Sequence, residues 1–239
     1  MSLESLLAPL LESPGRSAVV LDLDGVLAPI VRRPELAAVP EETRGELRRL
    51  AGRYLLVGCL SGRAGEDARR LLGVPGVEVV GNHGLELEPR AAAFAPAVAR
   101  FRDTISWPVE DKGLSLSYHY RDADDQCAAV LELEGVADRA RAAGLVPRWG
   151  RKVLEIRPPV EADKGTAVRA LLARTGATRG LYAGDDATDL DAFAGLAAAG
   201  LDYSLCVAVA SDEGPRELRD AADLVVAGPA EFLDVLKAL

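Results

Sequence analysis

Several short stretches of this chain are apolar along their whole length and leave no face for water. SAVVLDLD (17–24) and YLLVGCLS (54–61) are the clearest, and VEVVGN (77–82), TRGLYAGD (178–185), SLCVAVA (204–210) and DLVVAG (223–228) read as further strands. Successive strand side chains point to opposite sides of a sheet, so an unbroken apolar run must be covered on both. A parallel sheet flanked by helices meets that demand.

The segments between the runs read as helices. They are PEETRGELRRLA (40–51), AGEDARRLLG (64–73), DKGTAVRALLARTG (163–176), ATDLDAFAGLAAAG (187–200), GPRELRDA (214–221) and PAEFLDVLKAL (229–239). Pro40 suits a helix start, and Gly73 and Gly176 suit helix ends. Strands alternating with helices predict an α/β, Rossmann-like parallel core.

The rhythm changes near Glu88 and returns after Pro159. Between them, 91–105 reads as a helix interrupted by Pro96, and GLSLSYHYR (113–121) alternates like a strand with one wet face. Residues 122–144 read as a long helix capped by Asp122 or Asp124, and VPRWG with KVLEIRP reads as two strands about Gly150. The expected plan is a core of 1–87 and 159–239 with an α+β domain, 88–158, inserted into it.

Composition excludes some functions. A net charge of −9 argues against general nucleic-acid binding, because an acidic surface repels a polyanion. Cys59, Cys127 and Cys206 form no CxxC, and the only histidines are His83 and His119, so a zinc site or disulfide framework is not expected. Reduced thiols, an N-terminus without a basic leader, and no apolar run of about 18 residues point to a cytoplasmic protein that does not span a membrane.

The polar residues at the strand ends carry the chemistry. Asp22 and Asp24 close the first run, Ser61 closes the second, and Asp185, Asp186 and Asp189 follow RGLYAG. Ligands gather beyond the carboxyl ends of the strands in an open parallel sheet. Carboxylates meeting there need a cation, and all-oxygen ligation favours Mg²⁺. Taken singly, these motifs also read as a turn, a helix cap or an acidic helix start. A calcium loop does not fit DLDGV, where Val26 takes the place of the third ligand.

Together DLDG (22–25 within VLDLDG), LSGR (60–63), Lys164 in ADKG and GDDATD (184–189) resemble, in order, the four motifs of the haloacid dehalogenase superfamily of phosphotransferases. That resemblance implies the HAD-like hydrolase fold with the insert as a cap. It implies that Asp22 is a nucleophile forming an aspartyl phosphate. Asp24 would be the acid and then the base, and Ser61 and Lys164 would bind the phosphoryl oxygens. The metal would be held by Asp22, the main-chain carbonyl of Asp24 and Asp185, with Asp186 and Asp189 supporting it. Gly25 would bring its backbone N–H to the phosphate. Val26 and Leu190 depart from the usual threonine and glutamate.

Finer features resemble trehalose-6-phosphate phosphatases: DLDGVLAPI, GNHGLE (81–86), EDKGLSLSYHYR (110–121) and GRKVLEIRP (150–158). By that resemblance Glu110, Lys112 and Glu155 would grip the second glucose ring, since paired acceptors and ammonium donors suit hydroxyls. Arg63 and His83 would lie near the substrate cleft. Alternation alone points Glu155 outward, EDK alone reads as a solvated loop, and Trp107 and Trp149 read as core or hinge packing in preference to stacking on sugars. The expectation is an Mg²⁺-dependent phosphatase acting on trehalose 6-phosphate, a small sugar phosphate, with no nucleic acid, membrane or obligate protein partner. A phosphatase for another sugar phosphate, such as a glucosyl- or mannosyl-glycerate derivative, a phosphomutase and a non-catalytic sugar-phosphate-binding domain are the alternatives.

Overall fold

The architecture comes from a computed structural model, which describes residues 2–31, 36–150, 152–211 and 214–239. The chain begins with α1 (Leu3–Glu12), β1 (Ser17–Asp22), α2 (Glu41–Ala51), β2 (Leu56–Leu60), α3 (Gly65–Leu72) and β3 (Glu78–Val80). Then come α4 (Ala95–Arg102), β4 (Glu110–Asp111), β5 (Leu116–His119), α5 (Gln126–Ala142), β6 (Val146–Gly150) and β7 (Val153–Arg157). The last part contains α6 (Lys164–Thr175), β8 (Arg179–Gly184), α7 (Asp189–Ala197), β9 (Tyr203–Val209), α8 (Arg216–Asp220), β10 (Leu224–Val226) and α9 (Gly228–Ala238). Two compact units result, one of Met1–Leu87 with Ala162–Leu239 and one of Glu88–Glu161.

The first unit holds a six-stranded sheet in the order β10-β9-β8-β1-β2-β3, every pair parallel. β1 shows why the apolar runs must be buried on both sides. Val19 and Leu21 enter the cluster built with α1, α2 and α9, through Leu7, Leu10, Leu47, Leu50, Phe232 and Leu236. Ala18 and Val20 enter the opposite cluster, with Val168 and Leu171 of α6 and Phe193 and Leu196 of α7. Each such fully buried aliphatic or aromatic side chain contributes roughly 1.5–3 kcal/mol.

The second unit is a four-stranded antiparallel sheet, β4-β5-β7-β6, covered on one face by α4 and α5. Leu116, Tyr118, Leu154 and Ile156 pack there against Phe101, Leu133 and Val136. The opposite face carries Ser115, Ser117, Glu155 and Arg157, as alternation along β5 and β7 requires.

Three local expectations change. Pro96 starts α4 from within its first turn instead of interrupting a longer helix, because the ring demands no donor there. Asp125, not Asp122 or Asp124, caps α5, accepting from Cys127 N and Ala128 N at 2.9 and 3.0 Å. α1 forms where the sequence had been read only for a leader, and it buries Leu6, Leu7 and Leu10.

Candidate active site

The sheet register brings the polar strand ends together. Asp22 pairs with Leu60, so Ser61 comes next on the neighbouring chain. Leu21 pairs with Ala183, so Asp185 emerges just beyond Asp22 on the other side. Lys164 enters as the first residue of α6, which starts in a capping box between Asp163 and Thr166. Its ammonium is buried, 3.0 Å from Asp22 Oδ2 and 2.7 Å from Asp189 Oδ1.

Asp189 is the anchor of this group. Its Oδ1 accepts from Lys164 and from the Tyr182 hydroxyl, both at 2.7 Å. Its Oδ2 accepts from the amides of Asp185 and Asp186 at 2.9 and 3.0 Å. Four donors match the roughly four lone-pair sites of one carboxylate. Asp186 in turn accepts from the Thr188 amide and hydroxyl, both at 2.6 Å, which fixes the loop. Tyr182 was not singled out from sequence, because a tyrosine inside an apolar strand run reads as packing.

Among the described residues, oxygens of Asp22, Asp185 and Asp189 lie within 4.8 Å of one another. The oxygens of Asp189 are committed to its donors, which leaves Asp22 and Asp185 as the side chains able to hold a cation. Oxygen-only donors fit a hard divalent ion. The electrostatics fit one too. Burial first, then Asp189, Asp185 and Asp186, push the Asp22 carboxyl well above its usual range, against the opposing pull of Lys164. Burial, then Asp189 and Asp186, push Asp185 up to about 8. Burial alone would discharge Lys164, but Asp189 and Asp22 overcome it and hold the ammonium charged. A single ammonium therefore faces a crowded set of carboxylates.

Gly25, at φ +87°, makes that crowding possible. A Cβ there would stand 2.2 Å from the Asp185 carboxylate. Its N–H donates to the Ala28 carbonyl at 2.8 Å.

Asp24 turns toward Arg63. Nε and Nη2 of Arg63 donate to Asp24 Oδ2 and Oδ1, each at 2.7 Å, a two-pronged pair. The Arg63 amide donates to Ser61 Oγ at 3.1 Å, and Ser61 itself is fully buried. His83 lies against the same loop. Its amide donates to the Ser61 carbonyl at 2.9 Å, and a Cβ on Gly62 would meet its ring at 2.6 Å. Asn82 and His83 both adopt left-handed backbone, at φ 53° and 52°, a conformation uncommon outside glycine. Glu86 supports the turn by accepting from Gly65 N at 2.7 Å and Gly81 N at 3.2 Å. Sequence reading placed Glu86 in a motif without a task.

The second unit has its own polar group. Lys112 Nζ is 3.6 Å from Glu155 Oε1, which also accepts from Ser115 Oγ at 3.3 Å. Arg157 Nε stands 3.8 Å from Glu155 Oε2. Glu155 is thus nearly enclosed, with a side chain 12% exposed, where alternation alone pointed it into water. Glu110 pairs instead with the exposed His119 at 2.8 Å, apart from these Glu155 contacts.

A family model described as trehalose-phosphatase matches residues 20–101 and 101–218. The chain belongs to the trehalose-phosphatase family. It is 31% identical over 226 residues to the probable trehalose-phosphate phosphatase D of Arabidopsis thaliana, covering 82% of this chain and 61% of that protein. The chain therefore spans about three fifths of that relative's length. A solved structure described as a trehalose-6-phosphate phosphatase related protein superposes with a TM-score of 0.74 at 25% identity, over 92% of this chain and 95% of the other. A haloacid dehalogenase-like hydrolase from Bacteroides thetaiotaomicron shares the fold, with a TM-score of 0.60 at 16% identity over 92% and 98%. The core is accordingly HAD-like, with a cap domain inserted.

Within this family setting, Val26 and Leu190 have packing explanations. Val26 is buried with Leu23 and Leu27, and Leu190 packs against the α6–α7 cluster. Trp149 is 42% exposed and meets Tyr120 edge to face, so it does not enter a core. Trp107 packs partly on the second unit's core and donates to the His119 carbonyl at 3.0 Å. No helix among the described residues is long and apolar enough to cross a membrane.

Proposed function

We propose that this chain is an Mg²⁺-dependent phosphatase that hydrolyses trehalose 6-phosphate to trehalose and phosphate through an aspartyl phosphate. Family membership supports the reaction class, and one observation supports the chemistry: Asp22 ends the central strand against Lys164, inside a carboxylate cluster with Asp185. Asp22 and Asp185, with the Asp24 main-chain carbonyl, would hold the cation. When bound, it supplies positive charge that lets Asp22 stay ionised beside an anionic ester.

The protein's own groups account for the bond changes. An Asp22 oxygen attacks phosphorus and the phosphorus–sugar oxygen bond breaks. Asp24 gives its proton to the departing sugar oxygen, which leaves as the alcohol. Asp24, now a carboxylate, takes a proton from water as that water's oxygen attacks phosphorus. The bond to Asp22 breaks, phosphate leaves and both aspartates are restored. Lys164 has a third N–H beyond its two carboxylate contacts, and that donor would meet a phosphoryl oxygen with the Ser61 hydroxyl. Asp186 and Asp189 hold the loop that carries Asp185.

In the second unit, the Lys112–Glu155 pair would read sugar hydroxyls, with Glu110 adding an acceptor. The substrate would be a small molecule with no protein or nucleic-acid partner. A cytoplasmic setting is part of this reading.

The test is phosphate release from a panel of sugar phosphates, with Mg²⁺ and with chelator. Trehalose 6-phosphate should be preferred and chelator should stop turnover. Preference for a glucosyl- or mannosyl-glycerate phosphate would move the substrate assignment, and no release from any ester would end the enzymatic one.

A further inference from the structure

Arg63 carries an assignment that differs from substrate contact. Both nitrogens of its fork that bond Asp24 are 2.7 Å from separate oxygens of that carboxylate. Its main chain is fixed at both ends: the amide donates to Ser61 Oγ at 3.1 Å, and the carbonyl accepts from Asn82 N at 2.7 Å. The Arg63 side chain is 19% exposed and the Asp24 side chain 39%. The arginine is thus a mostly covered strut, and the aspartate is the more accessible end.

We propose that Arg63 is the positioning residue for the proton-transfer carboxylate of Asp24. This rests on the phosphatase reading above. Asp24 sits on a short loop after β1, outside the sheet ladder, so the strand does not fix its side chain. A planar guanidinium that grips both oxygens sets the carboxylate plane, which a single-point ammonium cannot do. With Nε and Nη2 both bonded to the carboxylate, Arg63 acts through Asp24.

The experiment compares Arg63→Ala and Arg63→Lys with wild type on two esters. One is trehalose 6-phosphate, whose alkoxide leaving group needs a proton. The other is an activated aryl phosphate, whose phenolate leaves without one. Expected for both variants is a fall in kcat on the sugar ester of about 100-fold, the lower end for loss of acid–base help, with KM changed by less than about threefold. The first phenol-releasing turnover of the aryl ester, followed by rapid mixing, stays within about threefold of wild type. Free guanidinium restores part of the lost kcat to Arg63→Ala but none to Arg63→Lys, whose side chain fills the space. A KM rise with kcat kept makes Arg63 a substrate contact and overturns the proposal. Equal losses on both esters, or a fall in melting temperature that accounts for the loss, make it structural and also overturn it. Arg63→Lys guards against misfolding of the alanine variant. Wild-type phosphate release is scored separately, so failure of the enzymatic reading is distinguishable from failure of this one.

Discussion

The Lys164 ammonium lies 3.0 Å from Asp22, with the lysine side chain only 2% exposed. Removing it strands two buried carboxylates, Asp22 and Asp189. Lys164→Ala is expected to cost about 3–5 kcal/mol of stability in chelator and to abolish phosphate release. Asp22→Asn removes one negative charge from the same crowd, so it should abolish turnover while melting at or above the wild-type temperature. Thermal melts paired with phosphate assays check both. A stable, active Lys164→Ala protein would contradict the charge balance described for the site.

Metal-free protein should lose stability as pH rises. The Asp185 carboxyl is pushed up to about 8 from an unfolded value of 3.8, so the fold favours its protonated form. Its contribution is full below the unfolded value and disappears as pH climbs through about 8. Asp22 shifts in the same direction. In chelator, the melting temperature should therefore decline from pH 5 to 8. Asp185→Asn should flatten the decline, and excess Mg²⁺ should raise the curve most at its alkaline end. A flat profile for chelated wild type would count against the crowded-carboxylate account.

Tyr118 offers a test of core energetics in the second unit. It is fully buried, and its hydroxyl has no hydrogen-bond partner among the described residues. Burial pushes that phenol up to about 12. Tyr118→Phe discards an unsatisfied polar atom, so stability should hold or rise by up to about 1 kcal/mol. Denaturant titration measures it, and a loss above about 1 kcal/mol would reveal a partner for the hydroxyl.

Lys112→Ala separates sugar reading from phosphoryl chemistry. Loss of a charged donor to a hydroxyl is worth about 1.5–3 kcal/mol, or roughly 10- to 100-fold in binding. KM for trehalose 6-phosphate should rise by about that factor, with a small aryl phosphate unaffected. Equal changes on both substrates would remove Lys112 from sugar recognition.

The strands were legible because a largely apolar run leaves a chain few options, and Asp22, Ser61 and Asp185 mark where three of those runs end. The helix ends at Gly73 and Gly176 were legible for a local reason: both take left-handed backbone that glycine adopts freely. Long-range ties were not legible. The fork from Arg63 to Asp24 and the bond from Lys164 to Asp189 depend on which segments become neighbours in the fold, not on spacing. Alternation gave the face of Glu155 but not its enclosure, which comes from Lys112 and Ser115 across the sheet and Arg157 two residues on. Asp125 lost to its neighbours on paper because three aspartates close together all have capping chemistry.

The order of strands in the larger sheet also sets a timetable for biosynthesis. β1 leaves the ribosome early and can pair with β2 soon afterwards, but its other edge waits for β8. The whole second unit is translated in that interval and, having its own core, can fold while β1 stands half-paired. Nascent chains stalled before Arg179 should present that open edge to chaperones, whereas chains released after β8 should not.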